Sequence, residues 1–399
     1  MRILIISHMF PSPYNPVGGT FILEQAQALK QLGVDVTVVS PVPWAPGPIK
    51  FHPKWARYAQ IPEQSEINGI PVFYPRVLSL PRSLGYAYYG EIHDRMLHSL
   101  LERLHRENPF DLVHAHVALP DGAAARHFTK RRRLPLVVTI HGQDFYYSIH
   151  HRPGWRKKVM DVLEAADRVV VVSTKLQGIA ESEHLVKDLA KIQVIHNGAN
   201  LKNVFTGENP LRKHYADKLI LLTAGYLIKR KGHEVVLEVM ARLRDRFPNL
   251  HYLIVGDGEE RAHLEAKVLA LGLTNQVEFL GLRPHQEVLQ YMALCDVFVL
   301  PSWDEAFGVV YVEAMSQGRP VIGCLGEGIE DFVENGKTGF LVPSKDVTGL
   351  TRVLDELCTD PVKRKTVGLN AKALVEEQYS WERCAERLIT LYASLLSPK

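Results

Sequence analysis

The sequence predicts an α/β protein of two doubly wound domains, each a parallel sheet with helices on both faces. Three observations carry that expectation. Short apolar runs alternate with segments of helical spacing along the chain, the pattern of parallel strands joined by crossover helices. The alternation pauses in a polar, glycine-containing stretch around residues 194–209 and then resumes. A chain of 399 residues also exceeds what one ordinary core organises.

In the first half, strands are expected over 2–7, 35–40, 112–116, 136–141 and 168–173. Helices are expected over 19–32, where Gly33 supplies the stop, and over 90–106, 121–130 and 155–165. Pro and Gly are dense between Pro41 and Pro81, which predicts irregular excursions or a hairpin. The second half reads as strands 219–224, 250–255, 277–280, 297–300, 321–323 and 339–342. Its helices are expected over 233–246, 259–271, 286–293 and 347–358, with another opening at a Phe307-Gly308 turn. The amphipathic segment 381–395 is long enough to cross back to the first domain. Domain limits of 1–200 and 201–378 follow, with 379–399 as the crossing helix.

Composition narrows the class. Apolar content of 46% with 23% charged residues is that of a soluble globular chain. The first apolar run reads as a buried strand and not a signal peptide, and no stretch reaches the length of a membrane span. Cys295, Cys324, Cys358 and Cys384 have no metal-ligand spacing, so a reducing cytoplasm is the expected setting. Charge is divided unevenly: residues 1–160 hold 19 Lys and Arg against 11 Asp and Glu. The basic runs are 130–133, 156–158 and the aromatic-rich stretch Trp44–Tyr58, with Lys50, Lys54, Trp55 and Arg57. The last suits a bilayer headgroup region or a lid over a second substrate.

Ligands of open parallel sheets bind beyond the carboxyl ends of the strands, so chemistry is sought there. Asp304-Glu305-Ala306-Phe307-Gly308 followed by Val309-Val310-Tyr311-Val312-Glu313 sets two carboxylates around a helix start. Glu305 would sit at its mouth and Glu313 about two turns inside. The first helical amides lack internal partners and attract an anion. A sugar joined to a diphosphate would match that arrangement. Lys229-Arg230-Lys231-Gly232 puts three cations at another helix entrance, where the dipole disfavours them and an anionic ligand would resolve the conflict. Gly18-Gly19 would let a backbone approach a ligand closely. His114-Ala115-His116 ends a strand, and the two rings are expected on opposite faces, one packed and one open. His141-Gly142-Gln143-Asp144 ends the next strand in the same manner. Gly256-Asp257-Gly258 lacks the third glycine of the dinucleotide fingerprint, which argues against a hydride cofactor. No Asp-x-Asp occurs, so no metal site is expected, and Arg230, Lys231 and the helix start would neutralise a leaving diphosphate.

Together these residues resemble the retaining glycosyltransferases of family 4, with the GT-B fold of two Rossmann-like domains facing across a cleft. The resemblance spans nearly the whole chain. Its most specific part is Glu305 to Glu313 with Phe307-Gly308 and Gly318-Arg319-Pro320-Val321-Ile322. Ala115-His116, Leu119-Pro120-Asp121-Gly122 and His141-Gly142-Gln143-Asp144 look most like the teichuronic acid biosynthesis group of that family. The resemblance implies that Glu313 holds the ribose, while Glu305 and the Phe307, Gly308, Val309 and Val310 backbone meet sugar and diphosphate. It implies that Lys231 binds the diphosphate, Gly18 and Gly19 let the first loop reach the phosphates, and Arg283 lies near the base. It makes His116 the histidine near the transferred sugar, with His141 and Asp144 as further sugar or acceptor candidates. One departure is Tyr226, where the family carries Arg; Arg230 would supply that charge.

The implied activity is metal-independent, retaining transfer of a hexose or N-acetylhexosamine from a UDP-linked donor, with no cofactor. The acceptor would be a glycan or a lipid-linked glycan in cell-surface polysaccharide synthesis. Peripheral contact with the cytoplasmic membrane face is expected, and no nucleic-acid partner. The rival readings are a sugar-nucleotide isomerase or epimerase on the same architecture, and a non-catalytic protein binding through its basic surface.

Overall fold

The computed structural model describes residues 1–16, 18–44, 53–79, 88–205 and 207–397. Lys50 lies outside them, as does the side chain of Lys54. The chain forms two compact units, residues 1–197 with 381–399, and residues 198–380.

The first unit is built on an eight-stranded sheet. From one edge its order is Ile192–Val194, Arg168–Val171, Leu136–Ile140, Leu112–His116, Arg2–Ile6, Asp35–Val39, Ile70–Phe73 and Gln64–Ile67. All neighbours pair in parallel except the last two, which form an antiparallel hairpin. Its two-residue turn is Asn68-Gly69, both at positive φ (52° and 75°), the pairing that a tight hairpin needs. Leu112–His116 and Leu136–Ile140 are buried along their whole length, as strands covered on both faces must be.

The helix Trp381–Leu396 belongs to this unit. Trp381, Cys384, Ala385, Leu388, Leu391 and Tyr392 recur at helical spacing and join Ile22, Ala26 and Leu29 in one core. The long basic runs are partly matched across neighbouring helices. Arg131 meets Asp94 at 2.9 Å, Arg132 meets Glu102, Arg156 meets Glu183 at 2.8 Å, and Lys158 meets Glu91.

The second unit has a six-stranded, all-parallel sheet. Its order is Val277–Gly281, Leu250–Val255, Leu219–Ala224, Val297–Val299, Val321–Cys324 and Phe340–Val342. The helix Pro361–Gln378 has no counterpart among the sequence expectations, and neither has Thr174–Ser182. Pro361–Gln378 buries only Val367, Gly368, Ala371 and Val375, a stripe too narrow to register as amphipathic. Its start is nonetheless encoded: Asp360 accepts from the Lys363 amide at 2.8 Å, and Pro361 takes the first turn.

All four cysteines are free. Among the described residues no helix is long and apolar enough to cross a membrane. Apart from the edge hairpin of the first, each sheet reverses strand order once. The reversal falls between Arg2–Ile6 and Leu112–His116 in the first, and between Leu219–Ala224 and Val297–Val299 in the second. Ligands of such sheets gather at these points.

Candidate functional site

In the second unit, the loops leaving the two switch-point strands meet. The Trp303 amide donates to the Arg230 carbonyl at 2.9 Å, which fastens loop to loop. Lys231 Nζ then donates to Glu305 Oε2 at 2.6 Å, and Ser302 Oγ donates to the same oxygen at 3.2 Å. Burial alone would push the Glu305 carboxyl up, but Lys231 and Arg230 beside it hold it below the ordinary range. A third loop joins them: Glu327 accepts from the Glu305 amide at 2.7 Å, and the Gly328 amide donates to the Glu305 carbonyl at 3.0 Å.

Gly308 caps the helix Val309–Ser316 at φ 85°, and a Cβ there would lie 2.4 Å from the Tyr311 ring. Only glycine fits that turn. The Phe307 side chain is buried against Phe332, at 5.0 Å between ring centroids, so only its backbone is available to a ligand. Val309 and Val310 are half-buried in the first turn.

Glu313 is the fifth residue of this helix, a little over one turn inside and not two, because the helix begins at Val309. His285 Nε2 faces its Oε1 at 2.7 Å. Sequence reasoning missed His285; its signal was the helix start after Pro284, which aims the first side chain of that helix beyond the sheet. Arg283 folds back on its own loop, donating from Nε to the Leu280 carbonyl at 3.0 Å. Arg230 is exposed and donates to the Asp304 carbonyl at 3.1 Å, while Tyr226 is 63% exposed.

In the first unit the histidines cluster. The rings of His114 and His116 stack at 4.5 Å, and those of His116 and His141 at 5.2 Å. The expectation of opposite faces for His114 and His116 is therefore corrected: residues two apart in a strand share a face. His114 Nδ1 lies 2.7 Å from the Tyr392 hydroxyl and Nε2 lies 2.6 Å from Thr139 Oγ1. His116 Nδ1 lies 2.9 Å from His141 Nε2, while His116 Nε2 is buried with no partner among the described residues. Whichever ring donates in that pair, His116 Nε2 takes the opposite role from its own Nδ1. Burial pushes His114 and His141 down to about 3 and His116 well below its ordinary value, with neighbouring imidazoles adding to the effect at His114 and His116. All three are neutral at working pH.

Asp144 does not open toward a ligand. It is buried, and its two oxygens accept from the Ala118 and Leu119 amides at 2.9 and 3.3 Å, so it holds the loop after His116. Burial pushes its carboxyl up to about 6 against the pull of those amides. Gly19 lies at φ 63°, where a Cβ would come 1.9 Å from the Met9 carbonyl oxygen. The Gly18 amide donates to Asn15 at 3.0 Å. Among the described residues no three His, Cys, Asp or Glu side chains gather as metal ligands would.

Known proteins match both units. The family described as Glycosyltransferase Family 4 matches residues 18–203, and that described as Glycosyl transferases group 1 matches residues 208–391. N-acetyl-alpha-D-glucosaminyl L-malate synthase of Bacillus anthracis is 30% identical over 74% of this chain and 78% of its own. The chain belongs to the family 4 glycosyltransferases.

Full-length similarity accompanies that membership. Teichuronic acid biosynthesis glycosyltransferase TuaC, as it is named in Bacillus subtilis (strain 168), is 28% identical over 99% of both chains. In fold, this glycosyltransferase is similar to sucrose-phosphate synthase of Thermosynechococcus elongatus, with TM-score 0.81, 23% identity and 99% of each chain covered. It is also similar to HepE of Anabaena, determined in complex with UDP and glucose, with TM-score 0.75, 21% identity, and 99% and 100% of the chains covered. Those likenesses establish a GT-B glycosyltransferase fold of two Rossmann-like domains.

Proposed function

We propose that this glycosyltransferase moves a hexose or N-acetylhexosamine, with retention at the anomeric carbon, from a UDP-linked donor to a glycan or lipid-linked acceptor in cell-surface polysaccharide synthesis. The observation that carries the reading is the Lys231–Glu305 pair beside the Gly308 helix start, at the switch point of the second sheet. A cation and the first amides of a helix converge there, which suits a diphosphate whose charge grows as it leaves. The UDP choice draws on the HepE complex, and the polysaccharide setting on the name of the Bacillus subtilis relative.

In this reading the acceptor oxygen bonds to the anomeric carbon on the face from which the diphosphate departs. The carbon–oxygen bond to the diphosphate breaks, and the acceptor proton passes to a phosphate oxygen. Lys231, Arg230 and the amides of Gly308 and Val309 stabilise the departing charge without a metal. Glu313, oriented by His285, accepts from ribose hydroxyls. Glu305, held by Lys231 and Ser302, bonds the sugar, and Gly18, Gly19 and Arg283 complete the donor contacts. His116 Nε2 meets a sugar hydroxyl, while His141 fixes its ring. Asp144 acts at one remove, through the loop after His116. The enzyme would work in the cytoplasm, in peripheral contact with the membrane face, and without nucleic acid.

The test is a turnover screen of UDP-, GDP- and ADP-sugars with proton NMR of the product's anomeric signal, in the presence and absence of a chelator. Retention, UDP preference and indifference to the chelator are expected. An inverted product or an activity abolished by chelation would sink the mechanism.

A further inference from the structure

The first unit also encloses a space that the transfer chemistry above leaves unused. A cavity of about 250 Å3 opens past the ends of the Arg2–Ile6 and Asp35–Val39 strands. Tyr14, Tyr58, Tyr89 and Val77 form much of its wall, together with His93 and Ser40. His93 is 3% exposed, and neither ring nitrogen has a hydrogen-bond partner among the described residues. The Ser40 hydroxyl is likewise buried and unpartnered. Each such orphan costs about 1–3 kcal/mol, so three around one cavity call for an occupant that supplies their partners.

The groups define what that occupant must be. Burial pushes the His93 imidazole down to about 4, with the attraction of Asp121 and the repulsion of His8 as smaller influences. At working pH the ring therefore offers one donor and one acceptor. A hydroxyl both donates and accepts and can serve both nitrogens; a carboxylate or phosphate only accepts. His8, also in the wall, is already engaged with Asp121 at 2.8 Å. The remaining walls are aromatic and aliphatic, suited to the C–H faces of a ring. The volume falls below the roughly 300–1,000 Å3 of drug-sized pockets, room for about one ring.

We propose that this cavity is a subsite for one uncharged pyranose of the acceptor, its hydroxyl edge held by His93 and Ser40. Its role toward an acceptor rests on the transferase reading above; the binding of the ring does not.

The test is saturation-transfer NMR on the full chain with the methyl glycosides of glucose, galactose and N-acetylglucosamine, alongside calorimetry with UDP. The expected result is transfer to the ring protons of at least one glycoside. Its affinity should fall about tenfold in His93→Leu and a few-fold in Ser40→Ala, with UDP affinity unchanged. If His93→Leu does not fold, Val77→Phe, which fills the space, reads the same loss. No transfer to any of the three glycosides, unchanged affinity in the variants, or a crystal soak showing water alone would overturn the proposal. Glycoside binding without turnover of any UDP-sugar would remove the transferase reading and leave this site standing.

Discussion

The two units meet polar chemistry in opposite ways. Beyond the second sheet an ion pair stands at the loop ends, Lys231 with Glu305, and His285 bonds the Glu313 carboxylate. Beyond the first sheet, the His8–Asp121 pair apart, His93, His114, His116 and His141 lie buried and uncharged, bonded to hydroxyls, to one another, or to no partner among the described residues. A diphosphate carries formal charge that must be balanced as it departs, and fixed ions do this at no reorganisation cost. Hydroxyl groups carry none, and a neutral imidazole meets them without the penalty of a buried ion. The contrast therefore sorts the proposed substrates by unit: charged donor group in the second, polyhydroxyl partners in the first.

The sharpest way to break this contrast is Lys231→Ala. It should lower transfer about 10³-fold, near 4 kcal/mol of transition-state stabilisation, with the circular dichroism spectrum intact. Near wild-type turnover would remove the ion pair from the chemistry.

Acid should act on the first unit. His114 and His141 titrate near 3 when folded, against an ordinary 6.5. Between those values the unfolded chain binds more protons, so their contribution to stability is complete above about pH 6.5 and lost as pH falls toward 3. Asp144, raised to about 6, works in the other direction between about pH 4 and 6. The histidines outnumber it, and His116 is lowered as well. Unfolding free energy from urea melts should drop by about 3 kcal/mol between about pH 7.5 and pH 5. His141→Gln should flatten that slope; a slope indifferent to the substitution would mean the ring is not held neutral.

Glu313→Ala asks whether the second carboxylate is a binding group. UDP affinity by calorimetry should fall about 30-fold, near 2 kcal/mol, and His285→Ala should cost less. Equal losses would recast the pair as one structural unit. The smallest effect is expected from Tyr392→Phe, which strips His114 Nδ1 of its hydroxyl partner. A loss of about 1 kcal/mol in a urea melt is expected. No loss would show that the neutral imidazole does not depend on that bond.

Much of this was legible beforehand, because strand ends and helix starts write themselves in local sequence. The runs 112–116, 219–224 and 250–255 coincide with observed strands, since buried parallel strands are mostly apolar and helical segments separate them. Gly308 and Lys231 were visible because a positive φ and a cation at a helix entrance are unusual choices that need a reason. Pairings between distant loops were not legible. Nothing in the order of residues says that Lys231 reaches Glu305, or that His285 reaches Glu313; only the switch-point topology does. The helix Pro361–Gln378 was hidden for another reason. Gly368 packs so closely that a Cβ would come 2.1 Å from the Gly318 carbonyl oxygen, and small residues leave little hydrophobic period. The His114–His116 stack is legible from strand periodicity, since residues two apart share a face.

The return of Trp381–Leu396 to the first unit has a consequence for the order of events at the ribosome. The first core needs Trp381, Leu388 and Tyr392, but residues 198–380 are synthesised between its two parts. The second unit, continuous in sequence, can complete its core while the first still waits, reversing the usual N-terminal-first sequence. Until the helix emerges, the apolar face made by Ile22, Ala26 and Leu29 stands open on the nascent chain.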